Sequence, residues 1–145
     1  GAFNYWKSHN FMALSDGLLD TLVDYVGTLP TAECEIFIGQ LGGATSRVPA
    51  DATAYPHRDA NFVMNVHTRW RERGDEKASI GWARELFAAT APHATGGVYV
   101  NFMPEDETDR VVGAYGSNYK RLVALKAKYD RGNLFRLNQN LRPTT

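Results

Sequence analysis

Ten residues decide how this chain folds: positions 61–70, which read NFVMNVHTRW. Alternate positions form an apolar set and a polar set: Phe62, Met64, Val66 and Trp70, and then Asn65, His67 and Arg69. Successive side chains of a β-strand point to opposite faces of its sheet. The stretch therefore predicts a strand that packs an apolar face on a core and turns a polar face towards a different environment.

The segments before and after this strand predict two further strands and two helices. Residues 3–11 are aromatic-rich, and residues 34–41 have an apolar centre, as is typical of strands. Ser15 is placed to cap a helix whose apolar residues recur at helical spacing as far as Gly27. A second amphipathic helix is predicted over residues 76–90.

The last third of the chain predicts shorter elements. We expect a strand over residues 98–103, a helix over residues 109–115 capped by Thr108, and another helix that starts at Ser117. The sequence lacks the glycines of a Rossmann nucleotide-binding loop. Strands joined by helices and long loops, without those glycines, predict an α+β fold: an antiparallel β-sheet with helices packed on one face.

Length and charge restrict the kinds of function. We expect one domain over residues 1–145, with the sheet and its helices in about 1–103 and the C-terminal helices and tail in 104–145. The formal net charge is zero, which argues against nucleic acid or a membrane surface as a general partner. The sequence shows one cysteine, no leader pattern and no run of about 18 apolar residues, so a cytoplasmic location is expected.

Metal and hydrolase chemistry find no support in the residue pattern. The four histidines are not paired four residues apart on a helix, and a single cysteine provides no zinc framework. The chain has no Gly-x-Ser-x-Gly elbow and no phosphate-binding glycine loop. No metal site is therefore expected.

Polar residues in and just before the strand over residues 61–70 are the candidates for ligand binding. Arg58, in the run Tyr-Pro-His-Arg at residues 55–58, could meet a charged or carbonyl group, although His57 and Arg58 could equally anchor a loop. Asn65 and His67 share one strand face and need polar partners there. They predict either a substrate cleft or a solvated sheet face.

Four blocks in the last third resemble the C-terminal end of the berberine bridge enzyme-like, FAD-linked oxidases. They are GVYVNF at 97–102, YGSNYKRL at 115–122, KAKYD at 126–130 and NLFRLNQN at 133–140. A Pro-His-Arg run before a tryptophan-ended strand is also similar to that family. The resemblance implies FAD as cofactor, hydride transfer from a small-molecule substrate to the flavin, and a larger FAD-binding N-terminal part that this chain does not contain.

The resemblance also implies roles for individual residues. Tyr99, Asn101, Asn118 and Asn138 stand at positions that contact the cofactor or the domain boundary in relatives, while Arg58, Asn65 and His67 stand near the substrate. The family usually has a tyrosine as catalytic base where this chain has Phe102, which has no ionisable group. His67 is then the remaining candidate base by chemistry.

Two functions from different classes follow. The first is the substrate-side, C-terminal part of an FAD-linked oxidoreductase, which works with an FAD-binding N-terminal domain or a separate subunit. The second is a non-catalytic ligand-binding or oligomerising module that has lost the FAD domain, an interpretation that Phe102 favours. In either case the surface left by the absent part predicts a homodimer when the chain is isolated.

Overall fold

Residues 1–144, the part of the chain that the computed structural model describes, form three β-strands and four α-helices. The strands are β1 (Phe3–Phe11), β2 (Glu35–Gln40) and β3 (Phe62–Trp70). The helices are α1 (Asp16–Val26), α2 (Glu76–Thr90), α3 (Val111–Tyr115) and α4 (Tyr119–Tyr129). The predicted positions of β1, β2, β3, α1 and α2 are confirmed to within one residue at each end.

The strand over the deciding stretch lies at the centre of the sheet. The strand order is β1-β3-β2, and both pairings are antiparallel. Val66 of β3 lies opposite Lys7 of β1 and Ile36 of β2. This arrangement confirms the α+β prediction.

The two faces of the sheet have different environments. On one side, which we call the helix face, Phe11, Met64 and Val66 pack against α1 and α2. The helices contribute five buried side chains to this core: Leu18, Leu22, Trp82, Ala83 and Leu86. The other side, the open face, carries Asn65 and His67 of β3, as their alternation predicts.

Helix α1 begins and ends where its sequence signals place it. The Ser15 hydroxyl accepts a hydrogen bond from the Leu18 amide at 3.3 Å, which satisfies one of the free donors at the helix start. Gly27 follows the last helical residue. Leu18 and Leu22 face the core, whereas Val23 remains 70% exposed, so the helix presents a second apolar stripe away from the sheet.

The prediction of a strand over residues 98–103 is wrong. Val100–Phe102 form a single turn of 3₁₀-helix, with the Phe102 amide bonded to the Tyr99 carbonyl at 2.8 Å. Val98 is fully buried, so the apolar pattern predicted burial correctly. The segment crosses the open face instead of pairing with an edge strand, and its backbone bonds are therefore local.

The predicted starts of the C-terminal helices are also wrong. Residues 105–110 form 3₁₀ turns interrupted at Glu107, whose φ and ψ are −112° and 30°, so Thr108 does not cap a helix and α3 begins at Val111. Residues 116–118 form another 3₁₀ turn that starts at Gly116, which has a φ of 46°, and α4 therefore begins at Tyr119.

A second, smaller core joins the C-terminal part to the rest of the chain. Its buried members are Val98, Met103, Val111 and Ala114, and Leu141 of the tail packs against them. The side-chain amide of Gln139 donates to the carbonyls of Met103 and Pro104, both at 3.2 Å. Among residues 1–144, no helix is long and apolar enough to cross a membrane.

Candidate functional site

The turn over residues 99–103 separates two cavities. Tyr99 and Phe102 line the first, of about 460 Å³, which we call the aromatic cavity. Val100, Asn101 and Met103 line the second, of about 870 Å³, which we call the edge cavity because it follows the free side of β1. One short segment therefore contributes side chains to both.

Aromatic rings in edge-to-face contact form one wall of the aromatic cavity. The rings of Tyr55 and Tyr99 lie 5.9 Å apart at 90°, and those of Tyr99 and Phe102 lie 5.2 Å apart at 90°. Phe37 of β2 and Val63 of β3 line the same cavity from the open face of the sheet. The preferred geometry of such pairs fixes the rings and leaves a predominantly apolar surface.

The Pro-His-Arg loop forms another wall, and its polar groups bond within the protein. Nε2 of His57 lies 2.9 Å from the Gly113 carbonyl, an acceptor, so this nitrogen donates. The Arg58 guanidinium donates to the carbonyls of Tyr55 and Thr45 and to the Thr53 hydroxyl. Both residues line the aromatic cavity, and both also have the loop-anchoring contacts that the sequence left as an alternative.

Asn65 and His67 lie on the open face but line neither cavity. Asn65 pairs with Ser8 of β1 and Phe37 of β2, and its Oδ1 is buried with no hydrogen-bond partner among the described residues. Nδ1 of His67 lies 3.3 Å from a Glu35 carboxylate oxygen, and Nε2 lies 3.1 Å from the Asn4 side-chain oxygen. Both ring nitrogens face oxygen acceptors, so a substrate can reach the unprotonated nitrogen of His67 only when one of these contacts opens.

Asn101 and Asn138, two of the residues for which the resemblance implies cofactor contacts, both line the edge cavity. Asn101 donates its side-chain amide to the Tyr99 hydroxyl at 2.8 Å, which links the two cavities by a hydrogen bond. Asn138 has a positive φ of 58°, a conformation that asparagine tolerates better than most residues.

Two unpaired polar atoms test whether this cavity fits a flavin ring. Among the described residues, the indole nitrogen of Trp6 and Oε1 of Gln139 are buried without hydrogen-bond partners, and both residues line the edge cavity. One is a donor and the other an acceptor. A flat heteroaromatic ring with both donor and acceptor atoms would satisfy them, so the residues present fit the ring of FAD. The sequence has no phosphate-binding glycine loop for the rest of the cofactor.

Asn118 lies elsewhere, below the loop that precedes the Pro-His-Arg run. Its side chain is 5% exposed, and its amide donates to the carbonyls of Ala50 and Thr53 at 2.7 and 3.0 Å. Both amide hydrogens are therefore engaged, and only the side-chain oxygen remains for a further contact. These two bonds give Asn118 a structural role in holding that loop.

Burial affects Tyr55, a phenol in the wall of the aromatic cavity. Burial raises the pKa of Tyr55, and contacts with Asn10 and Arg58 only partly oppose that effect. Tyr55 therefore keeps its proton at neutral pH and can donate a hydrogen bond.

Within residues 1–144, no group of three or more histidine, cysteine or acidic side chains is placed to hold a metal ion.

Sequence reasoning missed several residues that line these cavities, above all Trp6 and Phe37. Trp6 and Phe37 looked like ordinary strand residues, because alternation within a strand does not reveal which neighbouring strand lies opposite. The register settles this, since Trp6 and Glu35 flank His67, and Phe37 flanks Asn65. Only the position of Gln139 beside Asn138 gave a signal in the sequence.

Comparison with known proteins gives a consistent result. Residues 98–142 match the family described as "Berberine and berberine like". The chain is 30% identical over 130 residues to the uncharacterized FAD-linked oxidoreductase YgaK of Bacillus subtilis, a match that covers 90% of this chain and 29% of that protein. It is 32% identical over 121 residues to berberine bridge enzyme-like 17 of Arabidopsis thaliana, covering 72% of this chain and 23% of the relative.

Solved structures show the same fold at lower identity. The grass pollen allergen Phl p 4, whose structure is described as having glucose dehydrogenase activity, superposes with a TM-score of 0.88 at 18% identity. The match covers 98% of this chain and 33% of that one. The chain thus spans less than a third of the length of the curated relatives described above. The sequence matches show that the chain belongs to the berberine bridge enzyme-like family of FAD-linked oxidoreductases.

Proposed function

We propose that this chain forms the substrate side of an FAD-linked oxidoreductase, covering the flavin ring and shaping the cavity in which a substrate is oxidised. The observation that carries the proposal is the shared wall at residues 99–103. An aromatic cavity lies on one side of it, and a cavity with unpaired polar atoms lies on the other. A two-part site of this kind suits a substrate next to a heteroaromatic cofactor.

FAD, when bound, supplies the acceptor for a hydride from the substrate. Trp6, Asn101, Asn138 and Gln139 would hold its ring, through one indole donor and three carboxamides. Tyr99 stands between the two cavities and would touch both ligands. The protein's part is to orient the substrate and exclude water from it.

The proton that leaves with an alcohol substrate needs an acceptor. Phe102 lines the aromatic cavity but has no group that can accept one. We propose His67 for this role. It lies on the open face outside both cavities, so the substrate has to extend to it, and its contact to Glu35 or Asn4 has to open first. Arg58 would contribute to substrate binding through the donors that its three loop contacts leave free. Asn65 would act outside the cavities, on the part of the open face beside His67.

A chimera tests this function. The matching segment of Bacillus subtilis YgaK is replaced by this chain, and the purified protein is passed through gel filtration. We expect flavin to co-elute, and an alcohol substrate to bleach its absorption band without oxygen. His67→Ala should slow bleaching by about a hundredfold, the range for losing a general base, whereas Phe102→Tyr should preserve or increase the rate. A folded chimera without flavin would refute the proposal.

The second candidate is a non-catalytic ligand-binding or oligomerising module. Phe102 favours it, because the family's usual base position is filled by a side chain that cannot take a proton. In that case the chimera retains flavin, but no alcohol bleaches the flavin absorption band. The Phe102→Tyr variant of the chimera then restores the bleaching. The two candidates therefore predict different results from the same protein.

A further inference from the structure

The aromatic cavity allows the chemical class of its ligand to be named. We propose that it binds a small molecule with a flat apolar ring and at most one or two hydroxyl groups, such as an aromatic alcohol, and that it does not bind a sugar. This inference rests on the proposed function only in treating the cavity as the substrate site.

The walls provide apolar and aromatic contacts on opposite sides. Tyr55, Tyr99 and Phe102 form the edge-to-face row, and Phe37 and Val63 face the cavity from the sheet. Leu41 and Ala60 complete the apolar lining. Rings arranged in this way favour another ring in offset or edge-to-face contact, and the volume of about 460 Å³ suits a small ligand.

Most polar groups traced in the walls have contacts within the protein. His57 donates from Nε2 to Gly113, and Arg58 donates to three acceptors and stacks over Tyr55 with its central carbon 5.0 Å from the ring centre. The Tyr99 hydroxyl accepts from Asn101. A sugar brings many hydroxyl groups into such a cavity and loses their hydrogen bonds to water without equivalent replacements.

Few donors remain for a ligand hydroxyl. Arg58 keeps two N–H groups outside its three bonds, and the Tyr99 hydroxyl, which accepts from Asn101, keeps its own O–H. This matches a ligand with one or two hydroxyl groups on an apolar body. The related fold of Phl p 4, described as a glucose dehydrogenase, therefore does not predict the ligand of this chain.

The test is a titration of the ¹⁵N-labelled chain followed by amide NMR, with benzyl alcohol and glucose as separate probes. We expect benzyl alcohol to shift the amides of Phe37, Val63, Tyr99 and Phe102 in a saturable way. Its affinity should exceed that of glucose by at least about tenfold, the order of magnitude that one well-placed apolar contact provides in a pocket.

A matched pair of variants locates the binding. Phe37 is 48% exposed on β2 and lines the cavity, whereas Phe3 is 42% exposed on β1 and does not. Phe37→Ala should lower the affinity for benzyl alcohol by about tenfold, and Phe3→Ala should leave this affinity unchanged. If Phe37→Ala does not fold, the positions of the shifted amides in the unaltered chain decide the result.

Three results would overturn the inference: glucose binding at these amides with equal or higher affinity, benzyl alcohol shifts confined to other residues, or no shift at all. Because flavin is absent from this experiment, it is independent of the chimera. Benzyl alcohol binding together with a flavin-free chimera would uphold the ligand class and refute the oxidoreductase role.

Discussion

Gly97 lies directly against the imidazole ring of His57. A Cβ at this position would come within 2.6 Å of Nδ1 and 2.7 Å of Cε1 of His57, closer than real contacts allow. The glycine is therefore required by the close approach of the Pro-His-Arg loop. The contact holds the His57 ring in place, and both His57 and the next residue, Arg58, line the aromatic cavity.

Gly97→Ala should displace the His57 ring and weaken its bond to Gly113. We expect a loss of about 1–3 kcal/mol in the free energy of unfolding, as for overpacked sites, measured by urea denaturation. Gly74→Ala is the control, because a Cβ there meets nothing within 4 Å. Equal effects of the two substitutions would show that the contact has no energetic weight.

His9 is a buried histidine that the fold keeps neutral. It is 5% exposed, its ring stacks on Phe87 with centroids 4.0 Å apart, and Nε2 lies 3.0 Å from the Phe87 carbonyl. Burial lowers its pKa from 6.5 to about 4. The nearby cations Arg110 and Lys7 lower it further, and the bond to Phe87 only partly opposes the shift.

Stability should therefore fall with pH in a defined window. Between pH 6.5 and 4 the unfolded chain binds a proton at His9 that the folded chain does not, so folding loses up to about 3 kcal/mol across that range. Denaturant titrations from pH 7 to pH 4 measure the loss. In His9→Phe, which keeps an aromatic ring on Phe87, the slope over this window should become shallower. An unchanged slope would contradict the assignment.

At the scale of elements, the 3₁₀ segment of residues 105–110 is attached to the helix face of β1 by buried charges. Oε1 of Glu107 lies 2.9 Å from Nζ of Lys7 and 2.8 Å from a guanidinium nitrogen of Arg110. Glu107 is 2% exposed. Although burial lowers the pKa of Lys7, its contacts with Glu107 and Tyr5 raise it overall, so Lys7 stays charged.

Removing the carboxylate should leave two cations without a buried partner. We expect Glu107→Ala to cost about 3–5 kcal/mol, the range for breaking a buried ion pair, in the same denaturation assay. Glu105→Ala provides the comparison, because Glu105 is exposed on the same segment. Similar costs for the two glutamates would mean that the cluster does not hold this segment in place.

The elements also show what could be predicted from the sequence and why. Strand β3 and helix α2 were predictable because their apolar periods match one buried face each. Residues 98–103 have strand-forming side chains, but among the described residues they pair with no strand, and Val100–Phe102 form a 3₁₀ turn instead. The same limit applies to the site, since Tyr99 and Asn101 were predicted whereas Trp6 and Phe37 depend on strand register.

The molecule as a whole has apolar side chains at its surface. On α1 these are Leu19, Val23 and Val26, and in the C-terminal tail they are Leu134, Phe135 and Leu137, which are 74–86% exposed. Apolar patches of this kind on soluble proteins usually mark contacts with a partner. We expect the isolated chain to form a homodimer that covers one of them.

Light scattering over a range of concentrations measures this association. Leu19→Ser with Val23→Ser tests the α1 surface, and Phe135→Ser with Leu137→Ser tests the tail. One of the two double variants should shift the chain towards a monomer, and the other serves as its control. A monomer at every concentration of the unaltered chain would contradict the expectation.

The central claim is that this chain covers a flavin ring, and iodide quenching of flavin fluorescence tests it most directly. The chimera with YgaK is compared with a YgaK variant that lacks the matching segment but is reloaded with FAD. We predict a quenching constant several times lower in the chimera, because the ring is shielded by the edge cavity. Equal quenching constants in the two proteins would contradict the account.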